Sequence, residues 1–211
     1  LCSIDGSLYS IPGGMSNYGI FYNIRVLEEN NWSVPASYED LTSIMDQASA
    51  AGMYSGLIGA KDWRYTNEWP VSMLLTSVAG PEAVYKCLTG EQKWNSPQIV
   101  EAVEEMKVWY DKGYMGGDDY WNLDANEIFS LLMAGETPFA FAPLNGFQWA
   151  KNVALSEEDL ANVGFALLPS KNSASPAVSL GAVCSFSINA RSEHPDGAAA
   201  VLDYMLTADF A

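Results

Sequence analysis

The chain opens with Asp5-Gly6-Ser7-Leu8-Tyr9-Ser10-Ile11-Pro12, in which a glycine turn leads into a short alternating strand that Pro12 ends. A second apolar run, Tyr18-Gly19-Ile20-Phe21-Tyr22-Asn23, follows after Gly13 and Gly14 and finishes on an aromatic-aromatic-Asn step. Helical periodicity then takes over. Ser37 caps a helix reaching about Ala51, with Glu39 and Asp40 in its first turn, Leu41, Ile44, Met45 and Ala48 on one face, and Gly52 as the stop. Ser55 to Gly59 reads as a short strand, and Trp69-Pro70 as the start of a buried helix through Met73, Leu74 and Val78 to Gly80.

Ser96-Pro97 places a cap and a first-turn proline before a helix closed by Gly113. Its apolar face is expected to be Ile99, Val103, Met106 and Tyr110, with Glu101, Glu104, Glu105 and Asp111 mostly opposite as solvated charge. Asp124-Ala125-Asn126-Glu127 is a capping box for a helix ending at Gly135. Thr137 to Ala142 and Val163 to Leu168 read as strands, separated by the Asn145-Gly146 turn and a further helical segment. Val178 to Ile188 is a long apolar run, of which Val178 to Ser185 is expected to lie beside Tyr18 to Tyr22. His194-Pro195 then opens an Ala-rich helix through Leu206. Strands alternating with helices make this an α/β protein.

Composition narrows the partners. The 211 residues carry 26 acidic against 10 basic side chains, a net charge of −16. Such a field repels phosphate backbones and anionic lipid, which excludes nucleic acid and disfavours strongly anionic ligands. The 49% hydrophobic content is that of a chain able to bury a core. Cys2, Cys87 and Cys184 form no Cys-x-x-Cys pair and His194 stands alone, so a zinc site has no ligand set. Cys184 reads as a small buried hydrophobe. Asn122 to Asn126 mimics the start of a calcium loop, but Glu127 replaces the required Gly and Met133 the required Glu. Helix capping explains that stretch better.

No window reaches the length of a membrane span, no signal peptide is present, and the chain lacks an initiator Met. It reads as an excerpt of something longer.

Five stretches carry a family resemblance in order. They are the opening run through Asn23; Glu68-Trp69-Pro70 with Gly80; and Ala134-Gly135-Glu136-Thr137-Pro138-Phe139-Ala140-Phe141 running into Asn145-Gly146 and Trp149. Then come Val163-Gly164-Phe165-Ala166-Leu167-Leu168-Pro169-Ser170, and Ser179-Leu180-Gly181 with Ser187-Ile188-Asn189-Ala190 and Glu193-His194-Pro195. Together they resemble the family 1 extracellular solute-binding proteins of ABC importers, the maltose-binding-protein-like group. The resemblance implies a periplasmic-binding-protein-like (type II) two-lobed α/β fold, mostly its C-terminal lobe. Residues 1–20 would be the crossover from the first lobe, 21–180 the second lobe, and 181–211 the return strand and helix of the first. Leu8, Ile11, Ile188 and Leu202 would then lack cover from this chain.

The function so implied is capture of a carbohydrate, an oligosaccharide foremost, in the inter-lobe cleft and its delivery to the permease subunits. No cofactor is implied. The location would be extracellular, lipid-anchored at the cell surface or periplasmic, with membrane association only through a lipid anchor or the permease.

A sugar presents an apolar ring face and a rim of hydroxyls, so its site needs flat aromatics and planar polar groups. Three clusters supply them: Ser16-Asn17-Tyr18 at the crossover; Trp63-Arg64-Tyr65 with Glu68; and Asn145-Gly146-Phe147-Gln148-Trp149, where the family keeps a stacking Trp. One residue more than the family pattern separates Gly146 from Trp149, so Gln148 or Phe147 is the alternative occupant of that place. Gly181 on the return crossover completes the candidate set. Packing is the competing role for Trp63 and Trp149, and it is preferred for Trp69, Tyr22 and Trp32. Trp121, within Asp118-Asp119-Tyr120-Trp121-Asn122, is either a lip of the cleft or part of a surface loop, and the loop is preferred. Trp63, Tyr65 and Trp149 are expected to converge beside Tyr18. The rival class is a glycoside hydrolase, for which Asp62 and Glu68 are the candidate carboxyl pair. A receptor for another small solute is the third reading.

Overall fold

The computed structural model describes residues 2–61, 64–154, 156–176, 178 and 180–210. The chain packs as two units, Leu1–Ser16 with Leu180–Ala211, and Asn17–Ser179. In the first unit, β1 (Ser3–Ile4) and β2 (Ser7–Leu8) form an antiparallel hairpin, with Asp5 and Gly6 in the left-handed conformation at its turn. β3 (Ile11–Asn23) then runs unbroken through Pro12, Gly13 and Gly14. Pro12 therefore does not end a strand. Its fixed φ suits extended backbone, and the ladders to the neighbouring strands of the second unit begin only at Tyr18 and Gly19.

In the second unit Asn23 turns β3 into α1 (Ile24–Glu29) by accepting a hydrogen bond from the Val26 amide. α2 (Tyr38–Ala50) has the expected Ser37 cap, with a full capping box to Asp40. α3 (Arg64–Leu74) departs from expectation. It starts six residues before Pro70, holds that proline inside, and continues into a π-helical turn, Leu75–Ala79. Burial of Met73, Leu74 and Val78 holds the irregular helix together. α4 (Pro81–Leu88), which the apolar pattern did not suggest, begins with its proline in the first turn.

α5 (Pro97–Asp111) buries a different stripe from the one expected: Ile99, Ala102 and Trp109, with Met106 partly buried, while Val103 and Tyr110 face solvent. The indole of Trp109 needs the core more than either exposed residue does, and its N–H finds a partner there in Tyr38. Glu105 is not solvated charge either. Its side chain is only 12% exposed and is paired with Lys171 at 2.6 Å.

α6 (Ala125–Ala134) has the Asp124/Glu127 capping box and a left-handed Gly135 at its end. β4 (Phe139–Pro143) is wholly buried. A 3-10 turn, Leu144–Gly146, leads into α7 (Phe147–Val153), and α8 (Glu157–Ala161) precedes β5 (Val163–Leu167). β3 lies between β4 and β5, antiparallel to both. Beyond β4, the expected Ser55–Gly59 strand reduces to one parallel bridge, Leu57 to Ala140, with hydrogen bonds from Leu57 N to Phe139 O and from Phe141 N to Leu57 O. The core lies around this sheet. Phe21 meets Phe129 edge-on at 5.2 Å and Phe165 at 5.1 Å, and Trp109 stands 5.1 Å from Phe141.

β6 (Leu180–Phe186), in the first unit, pairs with β3. Residues 19–22 of β3 already carry β4 on one side and β5 on the other, so this pairing lies outside them and not along the Tyr18–Tyr22 run, where the apolar pattern placed it. α9 (Pro195–Met205) buries none of its residues. Leu8 and Ile188 are exposed, and Ile11 and Leu202 half-buried. The side chain of Cys184 lies outside the described residues.

Candidate functional site

Strand direction decides where the loops of the second unit gather. Tyr18 pairs with Pro143 at the C-terminal end of β4, and Gly19 with Leu167 at the C-terminal end of β5. The Leu57 bridge runs parallel to β4. All three stretches therefore deliver their following loops to the Tyr18 end of β3, the end at which α/β sheets form ligand crevices. The loop before α6 joins them. Ala60 and Lys61 both donate backbone hydrogen bonds to Leu123 O, at 2.9 and 3.1 Å.

At that end Tyr18 is half-buried on β3, beside half-buried Asn17. Burial raises the Tyr18 phenol above its ordinary pKa, and the negative charge of Glu68 raises it further. Glu68, exposed on α3, is thus within electrostatic reach of the phenol, and the neutral phenol is kept as a hydrogen-bond donor and acceptor at neutral pH. From Pro143 the chain passes through the Leu144–Gly146 turn to Gln148, exposed on α7. Gly146 lies against Phe129, where an added Cβ would come within 3.2 Å of the ring, so the turn sits tightly on α6. Tyr18, Glu68 and Gln148 are the candidates placed around one sheet end. All three are hydrogen-bonding groups. The described residues hold no group of three or more His, Cys, Asp or Glu able to bind a metal.

Other candidates fall elsewhere. Ser16 is buried on β3 and Gly181 lies on β6, both in the first unit. Trp63 and Asp62 lie outside the described residues. Arg64 and Tyr65 begin α3 and Trp149 belongs to α7, but their side chains, like that of Trp69, are outside the description. The expected meeting of Trp63, Tyr65 and Trp149 therefore falls there too. Tyr22 and Trp32 pack against the core. A recess of about 630 Å³ between Pro35–Glu39 and the segment after β5 contains none of the candidates.

The model of the family described as bacterial extracellular solute-binding protein matches residues 2–210. The chain belongs to that family. Its fold is likewise that of solved solute-binding proteins. A chitin oligosaccharide binding protein superposes with a TM-score of 0.80 at 18% identity, over 99% of this chain and 52% of that one. The maltose-bound MalE3 of T. maritima gives 0.75 at 17% identity, over 99% and 53%. RafE in complex with raffinose gives 0.73 at 17% identity, over 99% and 54%. An uncharacterized ABC transporter extracellular-binding protein of Pyrococcus horikoshii is 23% identical over 111 residues, 50% of this chain and 26% of that one. The solute-binding chain thus spans about half the length of the solved structures it matches, and it carries that share of a periplasmic-binding-protein-like α/β fold.

Among the described residues no helix is long and apolar enough to cross a membrane. Tyr110, expected on the core face of α5, is exposed and meets Tyr120 and Trp121 instead. No local spacing joins α5 to that loop, so only the fold brings them together.

Proposed function

We infer that the chain is part of the extracellular substrate-binding component of an ABC importer, which takes up a carbohydrate and delivers it to the permease subunits. The observation that carries this reading is the family match over residues 2–210. The gathering of Tyr18, Glu68 and Gln148 at the loop end of the sheet supports it. Residues 21–180 would be the second lobe, with 1–20 and 181–211 the crossover segments and helix of the first. Trp63, Arg64, Tyr65, Glu68, Gln148 and Trp149 would supply the ligand contacts of the second lobe, Ser16, Asn17 and Tyr18 those of the first crossover, and Gly181 that of the return crossover. Micromolar capture needs about 8 kcal/mol, which a few stacked rings and several hydrogen bonds supply after the cost of ordering. The protein works outside the membrane, held there by a lipid anchor or by the permease.

The test is a thermal-shift screen of the full-length protein against mono- and oligosaccharides, amino acids and polyamines, since a ligand that binds only the native state raises its melting temperature. A rise with carbohydrates alone is expected. A rise only with amino acids or polyamines would replace the sugar by another solute. Release of shorter products from labelled oligosaccharides would move the assignment to a glycoside hydrolase.

A further inference from the structure

We propose that Ser77 and Lys171 are positioning residues of the ligand site. Through residues 169–172 they fix the helix that carries Glu68 to the strand that carries Tyr18, and so set the geometry in which those two side chains meet a ligand that Ser77 and Lys171 do not touch. The proposal rests on the site assigned above and adds what holds it in shape.

Three observations support it. The first is connectivity. β5 ends at Leu167, which lies opposite Gly19 and so one residue from Tyr18. Buried Leu168 leads straight into residues 169–172. Glu68 lies on α3, which continues directly into the π-helical turn Leu75–Ala79. That turn and residues 169–172 exchange four hydrogen bonds. The Ser77 hydroxyl donates to Pro169 O at 2.7 Å, and Ser77 O accepts from the Ser170 hydroxyl at 2.9 Å and from the Lys171 amide at 3.0 Å. Val78 O accepts from the Asn172 side-chain amide at 2.9 Å. The path from Tyr18 to Glu68 thus closes through Ser77.

The second is that α3 has gaps in its own pairing. Pro70, two residues after Glu68, offers no N–H, and the residue four beyond Ser77 is Pro81, which offers none either. Ser77 O therefore lacks a regular helical donor, and the segment after β5 supplies two. Ser77 is 1% exposed, where an unmade hydrogen bond is costly.

The third is a cross-tie. The Lys171 ammonium lies 2.6 Å from Glu105 and 3.7 Å from Glu101, and the Asn172 side chain donates to Glu101 at 3.3 Å. Both carboxylates belong to α5, which packs against the π-helical turn. Residues 169–172 are held from two elements at once, and such a network fixes one arrangement where a single bond would not. Its consequence is felt at the site, where the charge of Glu68 acts on the Tyr18 phenol.

The experiment follows the Tyr18 phenol by fluorine NMR in full-length protein labelled with fluorotyrosine, its signal identified by its loss in Tyr18→Phe. Wild type is compared with Ser77→Ala, Lys171→Met, Lys171→Arg and Glu68→Gln. Glu68→Gln should lower the Tyr18 pKa by removing the charge that raises it. Ser77→Ala and Lys171→Met should lower it too, and Lys171→Met should add nothing in the Glu68→Gln background, because both act through one charge. Lys171→Arg should restore the wild-type titration. Calorimetry with gluco- and xylo-oligosaccharides of one to four rings should show binding about tenfold weaker for Ser77→Ala and Lys171→Met. Near-UV circular dichroism identifies the variants that fold; should Lys171→Met not, Ser77→Ala, which removes a single hydroxyl, carries the test. A Tyr18 titration unchanged in Glu68→Gln, or in both Ser77→Ala and Lys171→Met, overturns the proposal. So does an equal fall for Lys171→Met with and without Glu68, which would trace it to lost burial alone, and so does sugar affinity equal to wild type. If the wild type binds no sugar, the carbohydrate reading fails and the titration alone decides the positioning.

Discussion

Replacing Tyr38 by Phe isolates one buried oxygen. Tyr38 is 4% exposed; its hydroxyl accepts from the Trp109 indole at 2.6 Å and donates to Glu105 at 2.9 Å. Phe keeps the ring, so almost no cavity opens. Two interactions disappear, one of them to a carboxylate, and the fully buried indole N–H is left without this acceptor. A neutral hydrogen bond contributes about 1 kcal/mol, one to a charge about 1.5–3, and an orphaned buried donor costs about 1–3. These overlap, and the variant no longer buries the hydroxyl, so the expected loss is about 2–3 kcal/mol. It stays below the 3–5 kcal/mol or so of an uncompensated buried charge because Glu105 keeps Lys171 at 2.6 Å.

Burial first, and then the charge of Glu105, raise the Tyr38 pKa well above 10. An unfolded tyrosine releases its proton near pH 10 while the folded one keeps it. The stability this group contributes is therefore fully present below about pH 10 and falls above it, by about 1.4 kcal/mol per pH unit. Tyr38→Phe should remove one such slope. Urea unfolding of the full-length protein, followed by near-UV circular dichroism at pH 7 and above pH 10, reads both effects. A loss under about 0.5 kcal/mol, or an alkaline slope identical to wild type, would refute the account.

Gly19→Ala would place a Cβ 2.4 Å from the Ala166 carbonyl oxygen and 2.6 Å from the Phe165 ring, and the backbone oxygen cannot swing aside. A loss of about 1–3 kcal/mol is expected, and an unchanged melting temperature would show that β3 and β5 have room to part. At Asn23, fully buried, the amide nitrogen donates to Leu132 O at 2.7 Å, while the amide oxygen accepts from the Val26 amide and from Asn162. Asn23→Asp sets a carboxylate oxygen against that carbonyl, for an expected loss of about 2 kcal/mol or more at pH 7. Protonation restores the donor, so the variant should regain stability toward pH 4, whereas Asn23→Ala should show no such recovery; identical pH profiles would sink this reading.

Signals confined to a few neighbouring residues were legible in the sequence. The Ser37 cap, the Asp124/Glu127 capping box and the Gly135 stop each depend on backbone groups within one turn, and each is found where the residues place it. Choice of face was not legible. Residues 99, 103, 106 and 110 have helical spacing, and so do 99, 102, 106 and 109. What decides between them is Tyr38 on α2, which gives Trp109 a partner in the core. Glu105 was misread for the same reason, because Tyr38 and Lys171 lie more than sixty residues away on either side. Ser55–Gly59 has the composition of a strand, but only Leu57 meets β4. At the candidate site, the nearness of Tyr18 and Glu68 follows from loops meeting at one sheet end, which the order of strands and helices already suggested. The contact of Tyr110 with Tyr120 and Trp121 depends on α5 meeting the loop before α6.

The π-helical turn shows how a locally unfavourable segment is held by distant residues. Pro70 has no N–H to offer, and the widened turn Leu75–Ala79 disturbs the regular helical pairing of its carbonyls. The segment after β5 supplies partners. Ser77 O accepts the Lys171 amide at 3.0 Å and the Ser170 hydroxyl at 2.9 Å, Val78 O accepts the Asn172 amide group at 2.9 Å, and the Ser77 hydroxyl donates to Pro169 O at 2.7 Å. Lys171 then fixes the same four residues to α5 through Glu105. Any one of these bonds contributes about 1 kcal/mol, but together they leave the strap few alternative positions. The loop leaving β5 is therefore clamped within a few residues of the strand end, next to the end of β3 that carries Tyr18. A site for hydroxyl-rich ligands depends on several hydrogen bonds holding geometry at once, and a rigid footing for its loops is what such a site requires.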